Sequence, residues 1–300
     1  MTLRKPEWLK IQLNTTENTS TIKRELRTRN LHTVCKEARC PNLHECWNKF
    51  RTATFMILGS ICTRNCRFCA VERGTPSESL DKNEPQRIAL AVTELGIKHA
   101  VITMVSRDDL EDGGASHLTA TRIAIDAMNP AITVEYLSSD MKGRRESIAM
   151  LVESVPDVIG HNVETVRRLS FLVRSNSDYD RSLNFLKTAK KMAPNILIKS
   201  SIMLGLGEKK SEVLETMSDI KETGCDALYM GQYLQPTKGK KHLPVMRYWS
   251  PDDFLKFKKK AINMGFVYVE AGPLVRSSYH AGNHRELFQK YRAKRLADAQ

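Results

Sequence analysis

The chain is 300 residues long, 41% hydrophobic, and carries a formal net charge of +13, with 47 Lys and Arg against 34 Asp and Glu. This length and apolar content fit one catalytic body with extensions, and no apolar run approaches the 18 or more residues that cross a bilayer. The basic excess predicts acidic partners, but with no zinc-finger, aromatic RNA-binding or helix-turn-helix pattern it does not make a nucleic-acid module, so neither nucleic acid nor membrane is expected as a partner.

The N-terminal residues lack the apolar core of a secretory signal, and the expected location is cytoplasmic. Residues 1–34 are polar and read as a wrapping arm with a short helix over 21–27. There follow Cys35, Cys40 and Cys46, in C-x4-C-x5-C spacing. The chain has 7 cysteines, six of them between positions 35 and 69; in a long chain without a signal peptide such grouping favours metal ligation over disulfides. His44 could complete a Cys3His zinc site, but the gaps are wider than those of most zinc knuckles, and an iron–sulfur cluster is the favoured reading.

The apolar run 54–59 is the first strand, and Cys62, Cys66 and Cys69 follow it in C-x3-C-x2-C spacing. A loop of this kind can turn three sulfurs towards one point, which suits a soft metal or an iron–sulfur cluster. A closed zinc site needs a fourth ligand, and the 30 residues after Cys69 offer only His99. Three thiolates on a four-iron cube leave one iron open, and an open position is where chemistry occurs.

Beyond the loop, strands at 98–104, 131–137, 157–160, 195–204 and 226–231 alternate with helices such as 84–95, 116–128, 181–192 and 211–223. With 54–59 these make six consecutive β/α units, hence an α/β fold with an incomplete parallel (β/α)6 barrel of the TIM type. Barrel active sites lie at the carboxyl ends of strands, which selects Arg107 and Asp108 after the second strand and Asn162 and Glu164 after the fourth. Asp140 and Asn162 are also suited to capping the next helix, and the isolated Cys225 reads as a small buried residue. A basic loop at 236–244, a helix at 250–264 and a last strand at 266–271 lead to Arg276, Ser277, Ser278 and Tyr279 and then to a basic helix over 283–295. The expected division is an N-terminal extension 1–50, a partial barrel 51–245 and a C-terminal extension 246–300.

The Cys62–Cys66–Cys69 spacing, with the aromatic Phe68 before the last cysteine, resembles the signature loop of the radical S-adenosylmethionine (SAM) enzymes. Together with the Cys35–Cys40–Cys46 triplet and the 276–279 serine motif, and with similar runs at 231–236, 242–245 and 108–114, nearly the whole chain resembles the lipoyl synthase family. The resemblance implies two [4Fe-4S] clusters: one on Cys62, Cys66 and Cys69 that binds SAM, and an auxiliary one on Cys35, Cys40 and Cys46. It implies a serine as fourth auxiliary ligand, with Ser278 chosen ahead of Ser277. Arg107, Asp108, Asn162 and Glu164 are then the candidate SAM contacts. The implied reaction inserts two sulfur atoms, drawn from the auxiliary cluster, at C6 and C8 of a protein-bound octanoyl-lysine. The implied partners are an acidic octanoylated carrier domain, an electron donor such as ferredoxin or flavodoxin, and an iron–sulfur carrier that rebuilds the cluster. Lys238, Lys240 and Lys241, with Arg285, Lys290, Arg292, Lys294 and Arg295, are the candidate carrier-docking cations.

Overall fold

The computed structural model describes residues 3–10, 17–49, 53–77 and 79–281, and beyond them positions 287, 290, 291, 293 and 297. Arg285, Arg292, Lys294 and Arg295 lie outside the described residues.

The elements in chain order are α1 (Glu17–Thr28), β1 (His32–Thr33), α2 (Val34–Glu37), α3 (Leu43–Lys49), β2 (Thr54–Ile57), β3 (Ile61–Cys62), β4 (Glu72–Arg73) and α4 (Glu84–Glu94). Then come β5 (His99–Met104), α5 (Ala115–Met128), β6 (Thr133–Leu137), α6 (Arg145–Glu153), β7 (Val158–Gly160), α7 (Arg167–Val173), α8 (Tyr179–Met192), β8 (Leu197–Leu204), α9 (Lys210–Glu222), β9 (Ala227–Gln232), α10 (Pro251–Asn263) and β10 (Tyr268–Gly272).

One eight-stranded sheet runs β1-β2-β5-β6-β7-β8-β9-β10, and every pairing in it is parallel except that of β1 with β2. The incomplete parallel barrel read from the sequence is present as an open, mostly parallel sheet. The chain beyond residue 245 adds a seventh parallel strand to it, because β10 pairs with β9 from Tyr268↔Ala227 to Gly272↔Gly231. Strands of such a sheet are covered on both faces, which is why β2, β7 and β9 are buried along their whole length.

The helices lay apolar stripes on the sheet at helical spacing: Ile88, Ala91 and Val92 in α4, Val213, Met217 and Ile220 in α9, and Phe254, Phe257 and Ala261 in α10. Helix α10 starts in a capping box, with the Ser250 hydroxyl accepting from Asp253 N and the Asp253 carboxylate returning to Ser250 N, and carries Pro251 at its first position.

Inside the sheet's curve, alternate residues point inward. One such layer is polar: buried Glu135 of β6 accepts from Lys199 of β8 and lies 3.4 Å from His99 Nε2 of β5. The next inward layer, Thr103, Leu137, Ser201 and Gly231, borders the cavity described below. Among the described residues, no helix is long and apolar enough to cross a membrane.

Candidate active site

Cys62, Cys66 and Cys69 stand on a loop that leaves the sheet after β2 and returns through β4, which pairs in parallel with β3. The loop is held from several sides. Arg64, with only 3% of its side chain exposed, grips Asp108 with Nε at 2.8 Å and Nη2 at 2.9 Å, reaches Asp140 at 2.5 Å and donates to Ser177 Oγ at 3.0 Å. Arg73 donates to the carbonyls of Cys66 and Cys69 at 2.7 and 3.3 Å, and Thr63 N donates to Ser106 O at 3.0 Å. Cys66 forms an antiparallel bridge with Arg174, and His242 Nε2 lies 2.9 Å from the Cys69 carbonyl. Three thiols could therefore be read from spacing, but their supports Arg64, Arg73, Arg174 and His242 come from scattered positions whose meeting no local pattern reveals.

The second triplet is built by helix ends. Thr33 caps α2 by accepting from Lys36 N, and Cys40 N donates back to Cys35 O at 2.9 Å. The C-terminal motif is brought to this triplet by three contacts. Asn42 Nδ2 donates to Leu274 O at 2.6 Å, Tyr279 OH donates to Glu45 at 3.3 Å, and the Val275 carbonyl lies against the backbone of Gly231 in β9. A Cβ at position 231 would stand 1.9 Å from the Val275 oxygen, so only glycine admits the segment there.

Both triplets open on one cavity of about 610 Å³, lined by Cys35, Cys40 and Cys46 and by Cys62, Cys66 and Cys69. Ser277 and Ser278 line the same volume; the Ser278 hydroxyl is buried without a hydrogen-bond partner among the described residues. Burial pushes the Cys35 and Cys66 thiols up to about 11 and Cys69 to about 12, so these groups are neutral until something positive binds them. Among the described residues, no three His, Cys, Asp or Glu side chains stand close enough to hold a single metal ion. His44, the ligand that a zinc site would need, does not line the cavity.

Asn162 and Glu164 line the cavity after β7. Asn162 Nδ2 donates to Glu164 Oε1 at 3.0 Å, while the buried Asn162 Oδ1 and Ser138 hydroxyl have no partner among the described residues. Glu164 is held at φ 71°, a strained value for a non-glycine residue, by hydrogen bonds of its N to Ser201 O and its O to Met203 N. Burial raises its carboxyl above the ordinary value, against the opposing pull of the Arg174 guanidinium and the Asn162 amide. His161 beside it donates from Nδ1 to Ser138 O at 2.9 Å; burial, followed by Arg174, brings it down to about 4, so it is neutral. Burial would raise the Asp140 carboxyl, but the Arg64 hydrogen bonds and charge hold it well below the usual carboxylate range.

Arg107 and Asp108 are placed elsewhere. Arg107 forks onto Asp109 and reaches the Leu58 carbonyl, Asp108 is engaged by Arg64, and neither lines the cavity. Of the four rim residues, Asn162 and Glu164 face the chamber, Asp108 braces the cysteine loop through Arg64, and Arg107 turns to Asp109 and the Leu58 carbonyl.

A profile for the Radical SAM superfamily matches residues 56–220, and one for the N-terminal domain of lipoyl synthase of the radical SAM family matches residues 1–40. The lipoyl synthases of Bacillus mycoides (strain KBAB4) and Bacillus thuringiensis (strain Al Hakam) are each 56% identical over 278 residues, covering 93% of this chain and 92% of theirs. Among solved structures, Streptococcus suis SuiB bound to S-adenosylmethionine superposes with a TM-score of 0.52 at 12% identity, over 74% of this chain and 50% of that one. Methylornithine synthase (PylB) gives 0.54 at 11% identity, over 86% and 79%. At such identities the two structures speak for the fold alone. Whole-length identity, the N-terminal profile and the shared chamber of the two triplets agree: the chain belongs to the lipoyl synthase family of radical SAM enzymes.

Proposed function

We propose that this chain is a lipoyl synthase that inserts sulfur at C6 and C8 of an octanoyl chain carried in amide linkage on a lysine of a carrier protein. The observation that carries this reading is the single cavity into which both cysteine triplets and the unpartnered Ser278 hydroxyl open. A buried hydroxyl without a partner is costly, and a metal ligand removes that cost. Six thiols and one hydroxyl, grouped three and four, match the donor needs of an open and a closed four-iron cube.

In this reading Cys62, Cys66 and Cys69 hold the cluster that binds SAM, and Cys35, Cys40, Cys46 and Ser278 hold the auxiliary one. When bound, these groups supply a one-electron cleavage of SAM, a carbon radical able to take hydrogen from an unactivated carbon, and the sulfur to be inserted. Asn162, through its unpartnered Oδ1, and Glu164 receive the amino group of SAM, with the Ser138 hydroxyl beside them. Arg107 and Asp108 serve the site indirectly, Asp108 by fixing Arg64 within the cysteine loop. Neutral His161 keeps a positive charge out of the space next to a cationic sulfonium. A hard oxygen ligand is a poorer match to iron than thiolate, so Ser278 would be the weakest of the four holds on the auxiliary group.

Lipoyl synthases act on lipoyl-carrier substrates. Here the acidic carrier domain would meet Lys238, Lys240 and Lys241, exposed on the loop that His242 attaches to the cysteine loop. A cytoplasmic electron donor and an iron–sulfur carrier complete the set of partners. The test is anaerobic iron and sulfide analysis of the purified chain: about eight irons per chain supports two clusters, about four leaves a single-cluster enzyme, and zinc removes the reading.

A further inference from the structure

The most exposed large apolar side chain on the described surface is Phe171, 79% open, and the next residue, Leu172, is 46% open. Both sit in the last turn of α7, whose end is hydrogen-bonded to the loop of Cys62, Cys66 and Cys69. Arg67 N donates to Val173 O at 2.8 Å, Cys66 bridges to Arg174, and Ser175 Oγ donates to Asn65 O at 3.2 Å. Only Leu172 therefore separates Phe171 from a residue with a main-chain hydrogen bond to the cysteine loop.

A further exposed apolar side chain lies beyond Arg168. Arg168, one turn before Phe171, donates to Gly207 O at 2.9 Å, and Gly207 borders Met246, which is 59% exposed. The border is cationic. Exposed Lys209 and Lys210 begin α9 beside Arg168, and Arg67 lies on the loop itself. The nearby carboxylates are already engaged: Glu212 by Arg168, and Asp180 and Asp219 by Arg167. An apolar centre with a positive rim fits a small protein that presents an acidic border around an apolar contact.

We propose that Phe171 and Leu172 are the docking point for a small acidic electron-carrier protein bearing a flavin or an iron–sulfur group. The inference rests on the reading that Cys62, Cys66 and Cys69 hold a redox cluster. One electron leaves the reduced group of the partner and enters that cluster; no atom or proton need be exchanged. Transient redox complexes need only a small interface, and charge at the rim sets their rate of encounter.

The test compares the anaerobically reconstituted protein with its Phe171→Asp and Phe171→Ser variants, using reduced flavodoxin as the acidic carrier and dithionite as the small reductant. Cluster reduction is followed by bleaching of the visible absorbance. Phe171→Asp should be reduced by flavodoxin roughly tenfold more slowly than the parent, Phe171→Ser should fall between, and added salt should slow the parent towards the variant. Dithionite should reduce all three equally, and with dithionite and a short octanoyl-lysine peptide all should form 5′-deoxyadenosine alike. Equal rates with flavodoxin would overturn the proposal. So would a Phe171→Asp variant impaired only towards the octanoylated carrier domain, which would give the patch to the substrate. If dithionite bleaches no cluster in the parent, the cluster assignment itself fails, and the docking proposal with it.

Discussion

His242 Nε2 lies 2.9 Å from the carbonyl oxygen of Cys69, joining positions 173 residues apart. A carbonyl only accepts, so Nε2 carries the hydrogen and Nδ1 accepts from Thr237 Oγ1 at 2.7 Å. The ring thus has a defined neutral tautomer, and burial lowers its pKa in keeping with that. Through this one side chain the basic loop and the third cysteine share a position.

Replacing His242 by Ala should leave the Cys69 carbonyl without this donor and cost about 1 kcal/mol of stability. Iron retained per chain should fall more in the cysteine-loop cluster than in the auxiliary one. Iron analysis with an anaerobic urea titration checks both; unchanged iron retention would mean that Arg64, Arg73 and the other contacts secure the loop without His242.

Arg64 is the loop's main anchor, a fork on Asp108 with a further bond to buried Asp140. Arg64→Ala should destabilise the protein by about 3–5 kcal/mol, because it leaves Asp140 buried with only Arg181 as a cationic partner. Arg64→Lys should recover little, since an ammonium cannot span both carboxylates as a planar fork does. Equal stability of the Lys variant and the parent would contradict this account.

The two triplets should separate in function. Replacing Cys62, Cys66 and Cys69 by Ala should abolish 5′-deoxyadenosine formation. Replacing Cys35, Cys40 and Cys46 should spare some SAM cleavage and stop sulfur insertion. Lipoyl product from the second variant, detected by mass spectrometry, would eliminate the auxiliary triplet as the sulfur source.

His161, at about 4 in the folded chain, is depressed below the ordinary histidine value near 6.5. Between those values the unfolded chain binds the extra proton, so stability is complete above pH ~6.5 and declines as pH falls towards ~4, by at most about 3 kcal/mol. His161→Asn should flatten that decline in urea midpoints measured across the window. An equally steep decline in the variant would assign it to other groups.

If the carrier docks through Lys238, Lys240 and Lys241, raising salt from ~50 to ~500 mM should weaken binding of the whole carrier domain mainly through slower association. A short octanoyl-lysine peptide should be much less affected. Equal sensitivity would assign those lysines to solubility.

The β/α rhythm was legible because buried parallel strands are short apolar runs and the covering helices carry stripes of 3.6-residue period. The expected 195–204 and 98–104 correspond to β8 and β5 within two residues at either end. Helices α6 and α7 were not separated from the loops around them, since α7 is 7 residues long and ends in the exposed Phe171 and Leu172. Strand β1 is only 2 residues long and exists by pairing with β2. At the site, Asn162 and Glu164 followed from the strand-end rule. Arg107 obeyed the same rule and yet turned to Asp109, because a carboxylate two residues away competes for its fork. Arg64 and Arg174 were silent in the sequence, where a buried arginine looks like any surface cation.

Asn42 and Leu274, whose hydrogen bond seals the second triplet to the serine motif, are 232 residues apart. During synthesis the three cysteines leave the ribosome on the order of ten seconds or more before the serines that share their chamber. If Ser278 is the fourth auxiliary ligand, a cluster built early would face water on the side that Ser278 later closes. An auxiliary site of that kind would act as a receipt for finished translation: a chain truncated between positions 226 and 277 would possess every cysteine and lack the residue proposed to complete the enclosure.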